Sequence, residues 1–310
     1  MNHANTFSTV SAETLKASLE KTPAAVLIDV LPGDHFRAVH LPGAVNACVY
    51  EVTFPQQIEA ITRDLDASVV LYGAGAGSLD AAVAAEKMLR MGYRRVAVFE
   101  GGLAAWTAAG HPLEGEQPDS AGGPEPAFLF EDGTYPVVPE ASLIQWTGRN
   151  ANGRHYGTVS LAGGSARVEG GEVTGAFEVD MTGIRNIDLK GDALKPVLID
   201  HLNSDDFFFV KRFPTAVFTL RAVIPLDDAT PTAANYEITG NLTLRGISRS
   251  IRFPATVNRL ADGGFAAEAH FDIDRTRWGV IYGSARFFRH LGMHQVYDVI
   301  SIEVRLVFQD

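Results

Sequence analysis

Residues 201–218 have the sequence HLNSDDFFFVKRFPTAVF, in which two aspartates are followed at once by three phenylalanines. Residues 205–210, preceded by residues 194–203, predict a short helix or loop that crosses the mouth of a β-structure. The phenylalanines Phe207 and Phe208 would then turn inward at that mouth. Residues 216–223 alternate apolar and polar side chains, which is typical of a strand with one buried face.

The same period of two continues on both sides of this stretch, from residue 135 to the end of the chain. Glycine-containing turns such as Gly163-Gly164 and Gly170-Gly171 separate the alternating segments. Many strands at regular spacing predict an antiparallel barrel or sandwich. The predicted strands are residues 165–169, 177–181, 216–223, 236–244, 250–257 and 299–307.

The N-terminal part has a different pattern, in which helices and short apolar strands alternate. Helices are predicted over residues 11–20 and 80–91, and strands over residues 24–30, 68–72 and 96–99. Short buried strands separated by helices indicate a parallel sheet with helices on both faces.

Residues 115–134 contain three prolines, several glycines and five acidic residues with no basic one. This composition is typical of a linker. We therefore expect an α/β domain at residues 1–115, a linker at 116–134 and an all-β domain at 135–310.

The bulk composition limits the function classes. With 310 residues, two domains are the natural expectation. The net charge of −11 argues against nucleic acid or an anionic membrane surface as the main partner. One cysteine excludes an intrachain disulfide and a cysteine-based metal cluster. The first twenty residues have no secretory pattern and no run is long enough to span a bilayer, so we expect a cytoplasmic protein without stable membrane insertion.

The N-terminal part resembles the rhodanese family over about residues 7–115. The resemblance implies an α/β fold with a catalytic cysteine directly after the strand 68–72, where this chain has Gly73. One form of the family has a second cysteine five residues on, where this chain has Ser78. The segments that match are Leu27-Ile28-Asp29-Val30, His40-Leu41-Pro42-Gly43-Ala44-Val45-Asn46, Val69-Val70-Leu71-Tyr72, Gly92-Tyr93 and Glu100-Gly101-Gly102-Leu103-Ala104-Ala105-Trp106.

The loop at the missing cysteine has no thiol, so thiosulfate sulfurtransferase activity is not expected. Its glycine-rich turn before a helix could still bind an anion, or it could be a turn that only joins strand to helix. Cys48 is the remaining nucleophile, and because no basic residue flanks it we expect an inert thiol. The loop consists of Gly73, Ala74, Gly75, Ala76, Gly77 and Ser78.

The C-terminal part, residues 135–309, resembles the YceI family of lipocalin-like, polyisoprenoid-binding proteins. The resemblance implies an eight-stranded antiparallel barrel with a long apolar cavity, and an isoprenoid or similar lipid as the ligand. The matching blocks are residues 142–148 (SLIQWTG), 153–159 (GRHYGTV), 201–208 (HLNSDDFF), 213–218 (FPTAVF), 239–246 (TGNLTLRG) and 274–280 (DRTRWGV).

Candidate ligand-binding residues are mainly aromatic, because a chain-like lipid needs apolar walls and few polar groups. Each could instead be an ordinary core residue. His155 could bind a ligand headgroup or satisfy neighbouring backbone. The candidates are Trp146, His155, Phe207, Phe208, Phe213, Phe218, Phe253, Phe271, Trp278, Tyr282, Phe287 and Phe288.

Other polar patterns point to no cofactor. His290 and His294 have a spacing that could clamp a metal on a helix, but Gly292 weakens the helix and a third ligand is lacking. Asp274 and Arg275 are interpreted as a structural ion pair or turn device. No Ser-His-Asp set or paired carboxylates stand out.

The sequence thus predicts a carrier or sensor of an apolar small molecule, with no cofactor besides a bound isoprenoid or other lipid. The rhodanese-like domain would dock a protein partner or regulate the barrel, and the chain could form a homodimer. Two alternatives remain open. The protein could be an enzyme that acts on a small substrate or transfers sulfur through Cys48, or it could be an interaction module with a filled barrel.

Overall fold

The computed structural model describes residues 7–20, 25–118, 130–227, 230, 232–260 and 263–309. The chain divides into two compact units, residues 1–126 and 127–310. The linker predicted at residues 116–134 lies largely outside the described residues. Within the described parts of the chain, no helix has the length and apolar character needed to cross a membrane.

The N-terminal unit is a five-stranded parallel sheet of order β1-β5-β4-β2-β3, with one buried cluster on each face. The predicted α/β architecture is confirmed. Its elements are β1 Ser8–Thr9, α1 Ala12–Leu19, β2 Val26–Asp29, α2 Gly33–Ala38, β3 Val45–Asn46, α3 Phe54–Ile61, β4 Ser68–Tyr72, α4 Asp80–Arg90, β5 Arg95–Phe99 and α5 Gly102–Ala108.

Local sequence explains these elements. The Ser11 side chain accepts a hydrogen bond from the Thr14 amide and so caps α1. Strand β4 is central and buried from Val69 to Tyr72, as expected for a parallel strand covered on both faces. Helix α4 packs its alanines and Met88 against the sheet, because small residues let helix and sheet approach closely.

The C-terminal unit is a closed antiparallel barrel of eight strands. Strands β7 to β14 follow one another around the barrel and β14 pairs with β7, while β6 pairs with the far end of β8 on the same edge as β7, and Val137 after it bridges Phe308 of β14. This confirms the predicted barrel and excludes the sandwich. The elements are β6 Gly133–Pro136, β7 Leu143–Asn150, β8 Gly153–Glu169, β9 Glu172–Asn186, α6 Leu194–Asn203, β10 Thr215–Pro225, β11 Tyr236–Leu244, β12 Ile247–Arg259, β13 Phe265–Asp274 and β14 Val299–Phe308.

Strand order places two long connections at the same end of the barrel, which we call the mouth end. One connection, residues 187–214, contains α6 and then the mouth segment, residues 204–214. The other is the crossover loop, residues 275–298, between β13 and β14. The two connections touch, since the ring centroids of His201 and Tyr282 are 4.5 Å apart.

A tight hairpin between β11 and β12 helps to hold both connections. Arg245 and Gly246 both have positive φ, 52° and 71°, as a two-residue type I′ turn requires. The Arg245 guanidinium donates to the carbonyl of Phe207 at 2.6 Å and to that of Gly279 at 3.0 Å. The turn therefore links the mouth segment to the crossover loop.

Candidate functional site

The barrel encloses a cavity of about 240 Å³, and among the residues that the structure describes its wall is apolar apart from Glu268, whose half-exposed side chain pairs with Arg305. Alternation along the strands produces this wall, because every second residue faces the interior. On β12, for example, the wall residues are Ile251, Phe253, Ala255 and Val257. Other strands contribute Ile144, Val159, Leu161, Phe177, Met181, Ile184, Leu220, Leu242, Phe265, Ile273, Ile300, Ile302, Leu306 and Phe308.

Five of the residues singled out in the sequence lie on this wall. They come from β7, the mouth segment, β10, β12 and β13, so the fold brings them together from distant parts of the unit. Their names are Trp146, Phe208, Phe218, Phe253 and Phe271. The one polar atom among their side chains is satisfied, since the Trp146 indole N–H donates to the Thr158 carbonyl.

Four others pack at the mouth end without reaching the wall. The Phe207 ring packs against the rings of His201 and Tyr282, at 4.8 and 5.4 Å between centroids. Phe213 packs on Phe209. Trp278 is fully buried and donates its indole N–H to the barrel backbone. These aromatic residues belong to the core beneath the connections, not to the cavity.

The last three, His155, Phe287 and Phe288, are also away from the wall. Phe287 and Phe288 are exposed on the crossover loop. The His155 Nδ1 atom lies 2.8 Å from the Asp188 carboxylate. His155 thus pairs with a carboxylate through Nδ1, and its side chain is partly exposed.

The Asp188 carboxylate, at the start of the connection 187–214, accepts several hydrogen bonds. Burial would raise the pKa of Asp188, but hydrogen bonds from the Tyr156 amide, His155 and the Asn186 side chain outweigh it, so the pKa is lowered. The Asp188 carboxylate stays ionised and ties β8 to the end of β9.

Sequence reasoning missed much of the wall, including Phe177, Phe265 and Phe308. Phe265 and Phe308 stack at 4.5 Å near the end opposite the mouth, and Phe177 meets Phe308 edge-on. For Phe177 and Phe308 the signal was present in the alternation of β9 and β14. Strand β13 was not predicted, because alanines and charged residues weaken its aromatic pattern.

Strands β12 and β13 are hydrogen-bonded to each other over only part of their length, and we call the boundary between them the seam. Their ladder covers only residues 256–259 of β12 and 265–268 of β13. Toward the mouth end the seam is closed by side chains instead. The rings of Phe253 and Phe271 stack across it at 4.0 Å, and the Arg277 guanidinium donates to the Ser250 carbonyl. This stretch can widen without breaking a backbone ladder.

Arg275 holds the two ends of the crossover loop together. Its buried guanidinium donates to the carbonyls of four loop residues at 2.6 to 3.0 Å, and Asp298 lies 3.8 Å away. Burial lowers the pKa of Arg275, whereas Asp298 and Asp274 act to raise it. Asp274 itself caps the turn through Thr276 and pairs with Arg286, so it is a turn device, and no ion pair joins it to Arg275.

No group of three or more His, Cys, Asp or Glu side chains that could hold a metal occurs in the part of the chain that the structure describes. His290 has a positive φ of 61° and residues Gly292–His294 form a single 3₁₀ turn. His294 lies 3.3 Å from the Tyr282 hydroxyl. The helical spacing that could pair two histidines on a metal is therefore not present.

Comparison with protein-family models identifies the family of the C-terminal barrel. The model of the YceI-like domain matches residues 135–308, more than half of the chain. The chain belongs to the YceI-like family. The model of the rhodanese-like domain matches residues 11–109. No curated protein matches this chain.

Solved structures similar to the YceI-like barrel include BcnA of Burkholderia cenocepacia, with 20% identity over 55% of this chain and 98% of that chain and a TM-score of 0.44. A polyisoprenoid binding domain from Saccharophagus degradans has 13% identity over 58% and 99%, with a TM-score of 0.41. The rhodanese-like domain of the Alr3790 protein from Anabaena sp. has 25% identity over 40% and 95%, with a TM-score of 0.31.

In the rhodanese-like domain, the loop without a cysteine is occupied by the chain's own carboxylate. The buried Asp80 side chain accepts hydrogen bonds from the Ala74 and Ala81 amides and from the Ser78 hydroxyl, at 2.6 to 3.0 Å. A Cβ atom on Gly73 would overlap this carboxylate. Ala74 N–H, which an external anion would need, is already bound.

Cys48 is buried outside this loop. Its amide donates to the Gln57 side chain at 2.8 Å, and its thiol is free. Burial restricts access of a substrate to the sulfur atom, so the geometry favours a structural thiol over a sulfur carrier.

Proposed function

We propose that the barrel binds one apolar, chain-shaped molecule, an isoprenoid or a similar lipid, and acts as its carrier or sensor. The observation that carries this proposal is the cavity of about 240 Å³, whose wall is formed by apolar side chains of the described residues. Such a wall selects ligands by their apolar surface and thickness, because it has almost no group that could form a hydrogen bond with a polar part of a ligand.

The size of the cavity limits the length of ligand chain that it can enclose. A cavity of about 150 Å³ holds one benzene, so this cavity accommodates only a short stretch of chain. Each buried methylene contributes about 0.8 kcal/mol, and association costs about 4 kcal/mol or more. On the order of fifteen buried carbons are then needed for micromolar affinity. A ligand of that length must widen the cavity or extend beyond it.

The seam between β12 and β13 supplies a route for such a chain. Phe253 and Phe271 both line the cavity and also close the seam. Rotation of these two rings would join the cavity to the surface along the barrel wall without the loss of strand pairing. A chain longer than the cavity could then pass between the strands.

The wall offers little for catalysis. An enzyme needs positioned acids, bases or nucleophiles beside the reacting atoms, and among the described lining residues the one acid, Glu268, has a half-exposed side chain. Glu268 pairs with Arg305 on the neighbouring strand. This chemistry favours binding over turnover.

Lipid should co-purify with the full-length protein. Because the wall holds apolar molecules without polar anchors, native mass spectrometry should show a mass excess, and solvent extraction should release a single-chain lipid. A protein that carries no lipid, and that also fails to bind added isoprenoid alcohol, would favour the interaction-module alternative.

We also propose that the rhodanese-like domain is a non-catalytic docking or regulatory module. The parent protein should not convert thiosulfate and cyanide to thiocyanate, because Gly73 stands where the family has its cysteine. Turnover well above that of a Cys48→Ser control would contradict the proposal.

Gly73→Cys alone should not restore this activity, because the new side chain overlaps the Asp80 carboxylate. Gly73→Cys with Asp80→Ala removes the overlap and serves as the matched variant. Its thiol should become accessible to a thiol reagent, yet turnover should stay at background, since no Lys or Arg lies in residues 73–78 to stabilise a thiolate. Full turnover by the single variant would show that the loop readily rearranges.

A further inference from the structure

We propose that residues 285–295 of the crossover loop, which we call the docking loop, bind the surface of a bilayer that contains anionic lipid. The proposal rests on the proposed function only in the reason for docking, since a membrane is where a barrel would take up or release an apolar ligand. The docking itself is argued from the loop's own exposure, charge and position.

The docking loop presents large apolar side chains to solvent. Phe287 and Phe288 are 51% and 44% exposed, and Met293 is 85% exposed. Exposure of these apolar side chains to water is unfavourable in free energy. Their burial in an interface would remove that penalty. Aromatic side chains and methionine suit the boundary between headgroups and acyl chains.

Its charges complement an anionic surface. The docking loop contains Arg286 and Arg289, and residues 275–297 contain no acidic residue. Arg286 pairs with Asp274 and Asp298 at its base. Arg289 is exposed and makes no ion pair with any residue that the structure describes. Arginine beside phenylalanine combines phosphate binding with apolar insertion in one short segment.

The net charge of −11 does not prevent this contact. At physiological ionic strength the Debye length is about 8 Å, so a surface mainly senses the charges that face it. The net charge instead disfavours other orientations, because acidic surface turned toward an anionic bilayer would be repelled. The end of the barrel opposite the mouth includes Glu131, Asp132, Glu140 and Asp227, whereas in the connection 187–214 at the mouth end four lysines and arginines nearly balance five aspartates.

The position of the docking loop connects it with the cavity. Tyr282, just before the docking loop, packs on Phe207 of the mouth segment, and the next residue, Phe208, lies on the cavity wall. Arg275 holds the base of the loop through four carbonyl groups. A bilayer bound to the docking loop would therefore lie against the mouth end.

The test uses the full-length chain and vesicles of about three quarters phosphatidylcholine and one quarter phosphatidylglycerol. We expect the parent to sediment with these vesicles and to bind about tenfold less to phosphatidylcholine alone. The variant Phe287→Ser with Phe288→Ser should lose about tenfold in vesicle binding, and Arg289→Glu should lose a similar amount, mainly at low salt.

Two matched controls keep the result specific. Ile224→Ser removes an exposed apolar side chain at the opposite end, and Arg63→Glu reverses an exposed charge in the N-terminal unit. Both should bind vesicles like the parent. Equal binding by the docking-loop variants and the parent, or no binding by the parent, would overturn the proposal.

Lipid extracted from the same samples separates this proposal from the proposed function. A parent that carries lipid but does not bind vesicles would refute docking and leave the carrier role intact. A parent that binds vesicles through the docking loop but carries no lipid would refute the carrier role alone.

Discussion

Phe208→Asp should leave the purified protein without bound lipid. Phe208 reaches the cavity wall from the mouth segment, among apolar neighbours. An unpaired carboxylate placed against a lipid chain there would cost several kcal/mol, on the order of a hundredfold or more in affinity. Solvent extraction followed by quantitative mass spectrometry measures the loss directly.

Two further variants show whether the loss is local. Phe208→Leu keeps an apolar side chain on the wall and should retain lipid. Ile224→Asp places the same carboxylate on an exposed site of β10 and should also retain lipid. Circular dichroism checks that each variant is folded. Lipid content in folded Phe208→Asp equal to that of the parent would place the ligand outside the cavity.

Arg275→Ala should destabilise the C-terminal unit strongly. Four backbone carbonyls lose their donor, and Asp298 loses one of its two nearby cations, while Arg286 remains. Removal of one partner from a buried charge network costs about 3 to 5 kcal/mol of the free energy of unfolding. Because net stability is typically about 5 to 15 kcal/mol, this loss is a large fraction of the total.

Urea denaturation followed by tryptophan fluorescence measures this change, since Trp146 and Trp278 are in the barrel and Trp106 reports on the other unit. Arg154→Ala, an exposed arginine of the same unit, should change stability by less than about 1 kcal/mol. Arg275→Lys should lie between the two, because an ammonium group cannot serve four separated carbonyls. A change as small as that of Arg154→Ala would show that water replaces the guanidinium.

Much of the architecture could be predicted from local pattern. Alternation in residues 216–223 and 236–244 indicated strands with one buried face, and both are strands of the barrel. The apolar run at residues 68–72 indicated a buried parallel strand, which is β4. These predictions succeed because side-chain period and burial are local properties of a chain that must bury one face.

Only part of the candidate site could be predicted from local sequence patterns. Adjacent residues of the mouth segment differ in role: Phe208 lies on the cavity wall, whereas Phe207 packs under Tyr282. Both are phenylalanines in the same local pattern, so composition could not separate them. Outside regular strands the sequence has no repeating side-chain period that indicates which way a side chain points.

Strand alternation and the position of Gly73 were therefore properties of the sequence, because each depends on residues close together in the chain. Barrel closure between β14 and β7, the short ladder between β12 and β13, and the four carbonyls around Arg275 depend on residues far apart in sequence. The carboxylate of Asp80 fills the loop at Gly73 because α4 begins where the loop amides converge. These arrangements exist only once the chain has closed on itself, since hydrogen bonds and packing between distant segments select them.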